Sequence, residues 1–193
     1  MPDRVPAGVP PETCAAPRDA VESRVRRGMA ARRAERAGEA LRHMKAAAAL
    51  AREHDDPVAL ARALHGRANV ERDLGRLDVA LRLYHEAVPL CRRGDDPLAL
   101  AHTVRHLGDV LRETGDLREA ERCYAEALAL YRAHPAPRAL DFANAVRPMA
   151  ILRETLGERD EARALWREAR DLYRKARVEA GVAESSARLG RLG

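Results

Sequence analysis

Apolar residues along this chain recur at the three- and four-residue steps of amphipathic helices, and the helical stripes themselves recur. In "HLGDVLRETGDLREAERCYAEALALY", His106 to Tyr131, one stripe holds Leu107, Gly108 and Leu111, and a second, beyond Gly115, holds Ala120, Tyr124, Ala127 and Leu130. The second stripe returns at an offset of forty residues, where "GRLDVALRLYHEAV" from Gly75 matches "GDLREAERCYAEAL" from Gly115. A further copy, "GERDEARALWREAR" from Gly157, follows after forty-two. In each copy a glycine ends one helix where a positive φ costs little, a small residue (Ala80, Ala120, Ala162) marks a close helix approach, and an aromatic (Tyr84, Tyr124, Trp166) fills the gap.

The start of each repeat is also legible. "DDPVALARAL" from Asp55 and "DDPLALAHTV" from Asp95 place a proline where its fixed φ begins a helix without losing a needed hydrogen bond. Boundaries between helix pairs therefore fall at "HDDP", "GDDP" and "HPAP". Pro89 and Pro148 lie inside expected helices, where a lost backbone donor predicts kinks or helix ends. A fainter copy precedes these, with Gly28, Ala40, Met44, Ala47 and Leu50 in register, and "RLGRLG" near the end repeats the Leu107–Gly108 pair. The pattern predicts an all-α chain of four antiparallel helix pairs, about 18–54, 55–94, 95–134 and 135–175, with a terminal helix over 176–193. Residues 1–17 hold five of the eleven prolines and no apolar period, and read as a disordered tail. A helix pair of this length cannot bury its own apolar face, so stability has to come from stacking.

Composition narrows the function classes. Aromatics are 3% of the 193 residues, and the apolar content is mostly Ala, Leu and Val, which favours helices over strands. Only Lys45 and Lys175 among 35 basic residues are lysines, and the chain lacks glutamine, a pattern of GC-rich coding rather than of a nucleic-acid surface. Residues 1–54 carry eleven basic against seven acidic groups and so most of the net charge of +5; the remainder is close to neutral with interleaved signs. Three cysteines, Cys14, Cys91 and Cys123, show no disulfide or zinc spacing, which fits a reducing, cytoplasmic setting. No apolar run has the length of a signal core or a membrane span.

The spacing of Leu107, Gly108, Leu111, Ala120, Tyr124 and Ala127 resembles the tetratricopeptide repeat, and the resemblance extends from about residue 18 to the end. A forty-residue period is similar to the longer-helix variant of kinesin light chains and many bacterial regulatory and sensory proteins. Some positions depart from the pattern: Leu107 is replaced by Arg67 one repeat earlier, Leu111 by Glu71 and Arg153, and Gly108 by Ala68 and Ala150. The resemblance implies a right-handed α-solenoid that acts without cofactor as a protein-interaction scaffold, holding a partner segment in a concave groove lined by the first helix of each pair. Carried over position by position, the groove residues are Arg62, His65, Asn69 and Arg72, then His102, Arg105, Asp109 and Arg112, then Asn144, Arg147, Ile151 and Glu154. Arginine dominates this set, so an acidic protein or peptide segment is the expected partner. A subgroup of the family clamps a chaperone's C-terminal carboxylate with Lys, Asn and Arg. Only Asn69 matches, with His65, His106, Asn144 and Pro148 at the other places, so chaperone docking is not expected.

Other chemistry is weaker. His102 and His106 stand four apart, with Asp109 as a conceivable third metal ligand, but no fuller ligand motif accompanies them and the other histidines are scattered in sequence, so no metal is expected. Cys123 has no neighbouring base or oxyanion donor and reads as a packing residue, and no phosphate loop, dinucleotide turn or GxSxG is present. The basic run from Arg24 to Lys45 has no interleaved aromatics and reads as a capping helix pair rather than a nucleic-acid site. Two alternatives to the scaffold are a peptide-sensing domain that acts on a separate effector and a nucleic-acid-associated protein using that run. The terminal helix offers a route to self-association.

Overall fold

A computed structural model of the protein describes residues 15–193, with side chains from Arg18 onward. Most of the proline-rich segment at residues 1–17 lies outside the described residues. Among those described, nine helices follow one another: α1 (Ala15–Arg33), α2 (Ala37–Glu53), α3 (Pro57–Asp73), α4 (Leu77–Arg93), α5 (Pro97–Thr114), α6 (Leu117–Ala133), α7 (Ala139–Thr155), α8 (Arg159–Lys175) and α9 (Glu179–Leu192). Each packs along its neighbours in the chain. The odd-numbered helices also approach one another directly, α1 to α3, α3 to α5 and α5 to α7, whereas the even-numbered ones do not. The odd helices thus form the tighter, inner layer of an all-α solenoid.

Local chemistry sets the helix ends. The Asp56 carboxylate accepts from the Ala59 amide at 2.9 Å and Asp96 from Leu98 and Ala99 at 3.0 and 2.9 Å, with Pro57 and Pro97 starting the helices behind them. Within the pairs the chain turns at Gly75, Gly115 and Gly157 with φ of 73°, 91° and 79°, while forty residues before Gly75 the same geometry is imposed on Glu35, at φ 58°. Of the kink or helix end expected at each internal proline, the helix end is not what the structure shows. Neither ends its helix: α4 runs on to Arg93 past Pro89 and α7 to Thr155 past Pro148.

The core is a row of large side chains inserted between paired helices, each against a glycine or alanine. Tyr84, Tyr124 and Trp166 are fully buried, and Met44 takes the same place in α2. A methyl group built on Gly108 would lie 2.8 Å from the Tyr124 ring and 3.1 Å from the Cys123 Cβ, and one on Gly28 or Gly66 would strike Met44 from either side. The departures from the repeat pattern are accommodated by charge. Glu71, standing where Leu111 stands, is 3% exposed and lies 3.6 Å from Arg67 and 3.2 Å from Arg76. Arg153, at the same position of α7, reaches Glu121, Glu158 and Glu161.

On the outer face a ladder repeats with the sequence period: Arg52 to Glu86, Arg92 to Glu126 and Arg132 to Glu168, at 2.5, 2.8 and 2.9 Å. These pairs are largely solvated, and each is worth at most about 1 kcal/mol. Packing, then, decides stability. Gly108→Ala is expected to destabilise the protein by ~1–3 kcal/mol through overpacking against Tyr124. Gly38→Ala, whose new methyl meets only the tip of Arg42 at 4.0 Å, should instead stabilise it by up to ~1 kcal/mol. Urea unfolding of the two variants checks both signs.

Candidate functional site

The inner face is built by α3, α5 and α7, and the aromatic wedges support it from behind. The Tyr84 hydroxyl donates to Asn69 Oδ1 at 2.9 Å, that of Tyr124 to Asp109 Oδ1 at 3.0 Å, and Trp166 Nε1 to Glu154 Oε1 at 2.8 Å. The positions expected to face outward therefore divide. Asn69, Arg105 and Asp109 are buried, 4%, 9% and 6% exposed, because core hydroxyls and neighbouring guanidiniums claim their polar atoms. Arg62, His65, Arg72, His102, Arg112, Asn144 and Arg147 keep some exposure.

Two features stand out on this face. The first is a cleft of about 170 Å³ lined by Arg72, Arg105, Asp109, Arg112, Asn144, Arg147, Pro148 and Ile151. Asp109 is its hub: Oδ2 lies 3.2 Å from Arg72 Nη1 and 3.1 Å from Arg105 Nη1. The arginines are not equally engaged. Arg72 is also held by Glu113, Arg147 is bidentate to Glu184 at 2.7 Å, and Arg62, further along the groove, meets Glu22 at 2.6 Å. Among carboxylates Arg112 has only a loose contact of 3.9 Å with Glu113, and the buried Nε atoms of Arg112 and Arg105 have no hydrogen-bond partner. Against four arginines stand Asp109, Glu113 and Glu184, so the excess positive charge is small and concentrated on Arg112. Asn144 is tied to the Tyr173 hydroxyl at 2.9 Å.

The second feature corrects the view that the histidines are scattered. Packing of α3 on α5 brings His65 to His102 and His106, with ring centroids 4.8 to 5.1 Å apart and possible ligand atoms within 4.8 Å of one another. His65 is the third member of this group, and Asp109 Oδ2 adjoins it, 3.3 Å from His106 Nδ1. Arg105 Nη2 lies 2.5 Å from His106 Nε2, and since arginine only donates, that nitrogen accepts. A metal would have to displace this cation from one of its three ligands. Burial first, then the Arg105 charge, lowers His102 to about 4; burial likewise holds His65 and His106 well below the ordinary histidine range, with nearby positive charges adding to it. The trio is neutral at pH 7. Next to it, between α3, the end of α4 and α5, opens a cavity of about 460 Å³ lined by Val58, Ala61, Arg62, His65, Leu90, Cys91, Gly94, Asp95, Asp96, Ala99, His102 and Thr103. The period that defines the repeats did not flag this cavity, although one signal was available: Cys91 stands where the next two repeats carry Tyr131 and Tyr173.

A family model of the MalT-like TPR region matches residues 17–190. The chain belongs to the MalT-like TPR family. No curated protein sequence matches it significantly. Among solved structures, this MalT-like TPR chain is similar to apo RapI, at 13% identity and a TM-score of 0.77 over 86% of this chain and 60% of that one. It is also similar to a Podosopora anserina putative kinesin light chain with nearly identical TPR-like repeats, at 16% identity and a TM-score of 0.70 over 91% of this chain and 86% of that one. A Rap protein complexed with competence and sporulation factor aligns at 14% identity and a TM-score of 0.78, over 87% of this chain and 46% of that one. The chain spans about 60% of the length of RapI and less than half of the complexed Rap protein. At these identities the likeness establishes the fold.

Elsewhere on the TPR chain, Cys123 is buried in the α5–α6 seam, where burial pushes its thiol up to about 12. In the basic run, Arg32 pairs with Asp73 and Arg36 with Glu39. No described helix is long and apolar enough to cross a membrane.

The histidines give a pH dependence with a definite sign. Their folded-state pKa values lie below the unfolded value of 6.5, so below that pH the unfolded chain binds more protons and stability is lost as pH falls from about 6.5 through about 4. His102 contributes up to ~3 kcal/mol of this loss. Urea midpoints measured from pH 7 to pH 4 should fall less steeply for His102→Leu than for the natural sequence; carboxylate titration is common to both proteins and cancels in the comparison.

Proposed function

We propose that this chain is a non-catalytic interaction module whose inner face binds an extended, acidic segment of a partner protein or peptide. The observation that carries the reading is the α3–α5–α7 cleft, where the part-exposed guanidinium of Arg112 is nearly free of a carboxylate. A carboxylate entering the cleft would pair with the part-exposed guanidinium of Arg112, and charge-assisted hydrogen bonds of this type are the strong ones. Arg72 and Arg105, fixed by Asp109, keep the cleft ordered before the ligand arrives, which lowers the cost of binding. The pairing of Arg62 and Arg147 with Glu22 and Glu184 makes the recognition local, centred on Arg112, rather than a general attraction along the whole groove.

A peptide-sensing role is favoured as the specific form of this reading by one comparison: a protein of the same fold is complexed with competence and sporulation factor. In that form the module occupies a cytoplasmic regulatory system, and the occupied groove acts on a separate effector.

Random-sequence peptide display on the purified protein tests the reading. Selected peptides should be enriched in Asp and Glu, weaken with added salt, and bind about tenfold or more less tightly to Arg112→Ala, the loss expected for a hydrogen bond to a charged group. Peptides without acidic bias, or equal affinity for the variant with its helicity intact, would overturn it.

A further inference from the structure

From the cavity beside the histidine trio we infer that the chain has a second, aromatic subsite, which receives a tyrosine-sized side chain of the same partner segment that the arginine cleft binds. This rests on the groove reading and specifies what the partner must carry. The argument starts from the repeats themselves. Forty residues after Cys91 stands Tyr131, buried and stacked on Phe142 with centroids 5.8 Å apart, and forty-two further on stands Tyr173, buried with its hydroxyl on Asn144. The two later repeats thus fill this position with a phenol ring, whereas the repeat before Cys91 has the small, buried Ala51 there.

In α4 the ring is replaced by a thiol, half-buried and 3.6 Å from Thr103 Oγ1. The facing position does not compensate, because Ala61 is matched forty residues on by the equally small Ala101. The space a tyrosine ring occupies elsewhere is therefore left open here, and it opens on the inner face. Its volume of about 460 Å³ lies within the ~300–1,000 Å³ range of sites for small organic groups. Val58, Ala61, Leu90 and Cys91 give it apolar walls, and the neutral rings of His65 and His102 border it. An aromatic ring buries ~150–250 Å² and favours edge contacts with other rings, so this is the side chain the cavity suits.

Position sets the spacing of the partner motif. Along α5 the cavity is centred near Thr103 to Ala99 and the cleft near Asp109, about eight residues away, which is ~12 Å at 1.5 Å per residue. An extended peptide covers that distance in about three to four residues. The partner motif is an aromatic residue separated by that interval from an Asp or Glu.

The test uses p-cresol, the tyrosine side-chain analogue, titrated into the full chain and followed by ¹⁵N–¹H NMR. Saturable shifts should cluster at Ala61, Cys91, Ala99 and His102. Cys91→Tyr should raise the thermal midpoint, leave helicity unchanged and reduce p-cresol affinity about tenfold or more; Cys91→Leu is a smaller filler with the same expected direction if the tyrosine variant does not fold. Shifts centred elsewhere, or undiminished p-cresol binding by a folded cavity-filled variant, overturn the subsite. Peptides from the display experiment separate the two readings. If they bind through Arg112 yet bind Cys91→Tyr as tightly as the natural sequence, the aromatic subsite fails and the groove stands. If p-cresol binding is lost in Cys91→Tyr but peptide affinity ignores Arg112, the cavity stands as a ligand site, and both the groove reading and the two-point motif fall.

Discussion

The structure depends on one recurring contact: a large side chain from the second helix of a pair, pressed into a glycine- or alanine-lined gap with its polar tip reaching the inner face. Tyr124 shows both ends of the constraint. Its ring leaves no room for a methyl group at Gly108, and its hydroxyl holds Asp109. A buried hydroxyl without a partner is costly, so the core can be this tightly filled only if the inner helix supplies an acceptor at the right height. The acceptor is Asn69, Asp109 or, for the indole of Trp166, Glu154. Core packing and groove chemistry are therefore not independent layers; each wedge chooses a groove residue.

Asp109 carries this coupling furthest. A carboxylate buried to 6% exposure requires compensation, which comes from the Tyr124 hydroxyl and from Arg72 and Arg105, on two different helices. Those arginines are then fixed across the α3–α5 seam, and Arg105 in turn faces His106. One buried charge thus organises a set of cations, and the histidines are kept neutral first by burial and then by the same positive field. Arg112, one turn further on in the same cleft, is outside that set and has no carboxylate nearer than Glu113 at 3.9 Å.

The architecture was legible in the sequence because it follows from periodicity. The wedge residues, the turn glycines and the Asp-Pro starts recur at forty residues, and each acts through a local mechanism that holds in any repeat. What sequence could not show was pairing across repeats. Arg62 and Arg147 read as free cations until Glu22 and Glu184, forty and thirty-seven residues away, were brought onto them. The histidine trio was hidden for a related reason: His102 and His106 belong to one helix, but His65 joins them only through the α3–α5 contact. Asn69 and Asp109 looked exposed because polar residues usually are, and it took the tyrosine hydroxyls fifteen residues later to bury them. Pro89 and Pro148 failed as helix-end signals because packing on both neighbours holds α4 and α7 together through the missing donor.

A repeat protein offers an internal control that most folds lack. Where a position is occupied by equivalent residues in every copy, stacking explains it. Where one copy departs, its own siblings show what stacking alone would have placed there. Glu71 is a departure that the structure absorbs, since Arg67 and Arg76 neutralise it and no space is left. Cys91, like Ala51 one repeat earlier, lacks the ring that the two later copies carry, and at Cys91 neither Thr103 nor Ala61 fills the volume that ring would take. Unfilled apolar volume costs stability in proportion to its size. The copy that tolerates this cost lies on the inner face beside the arginine cleft, which is where a binding function would repay it.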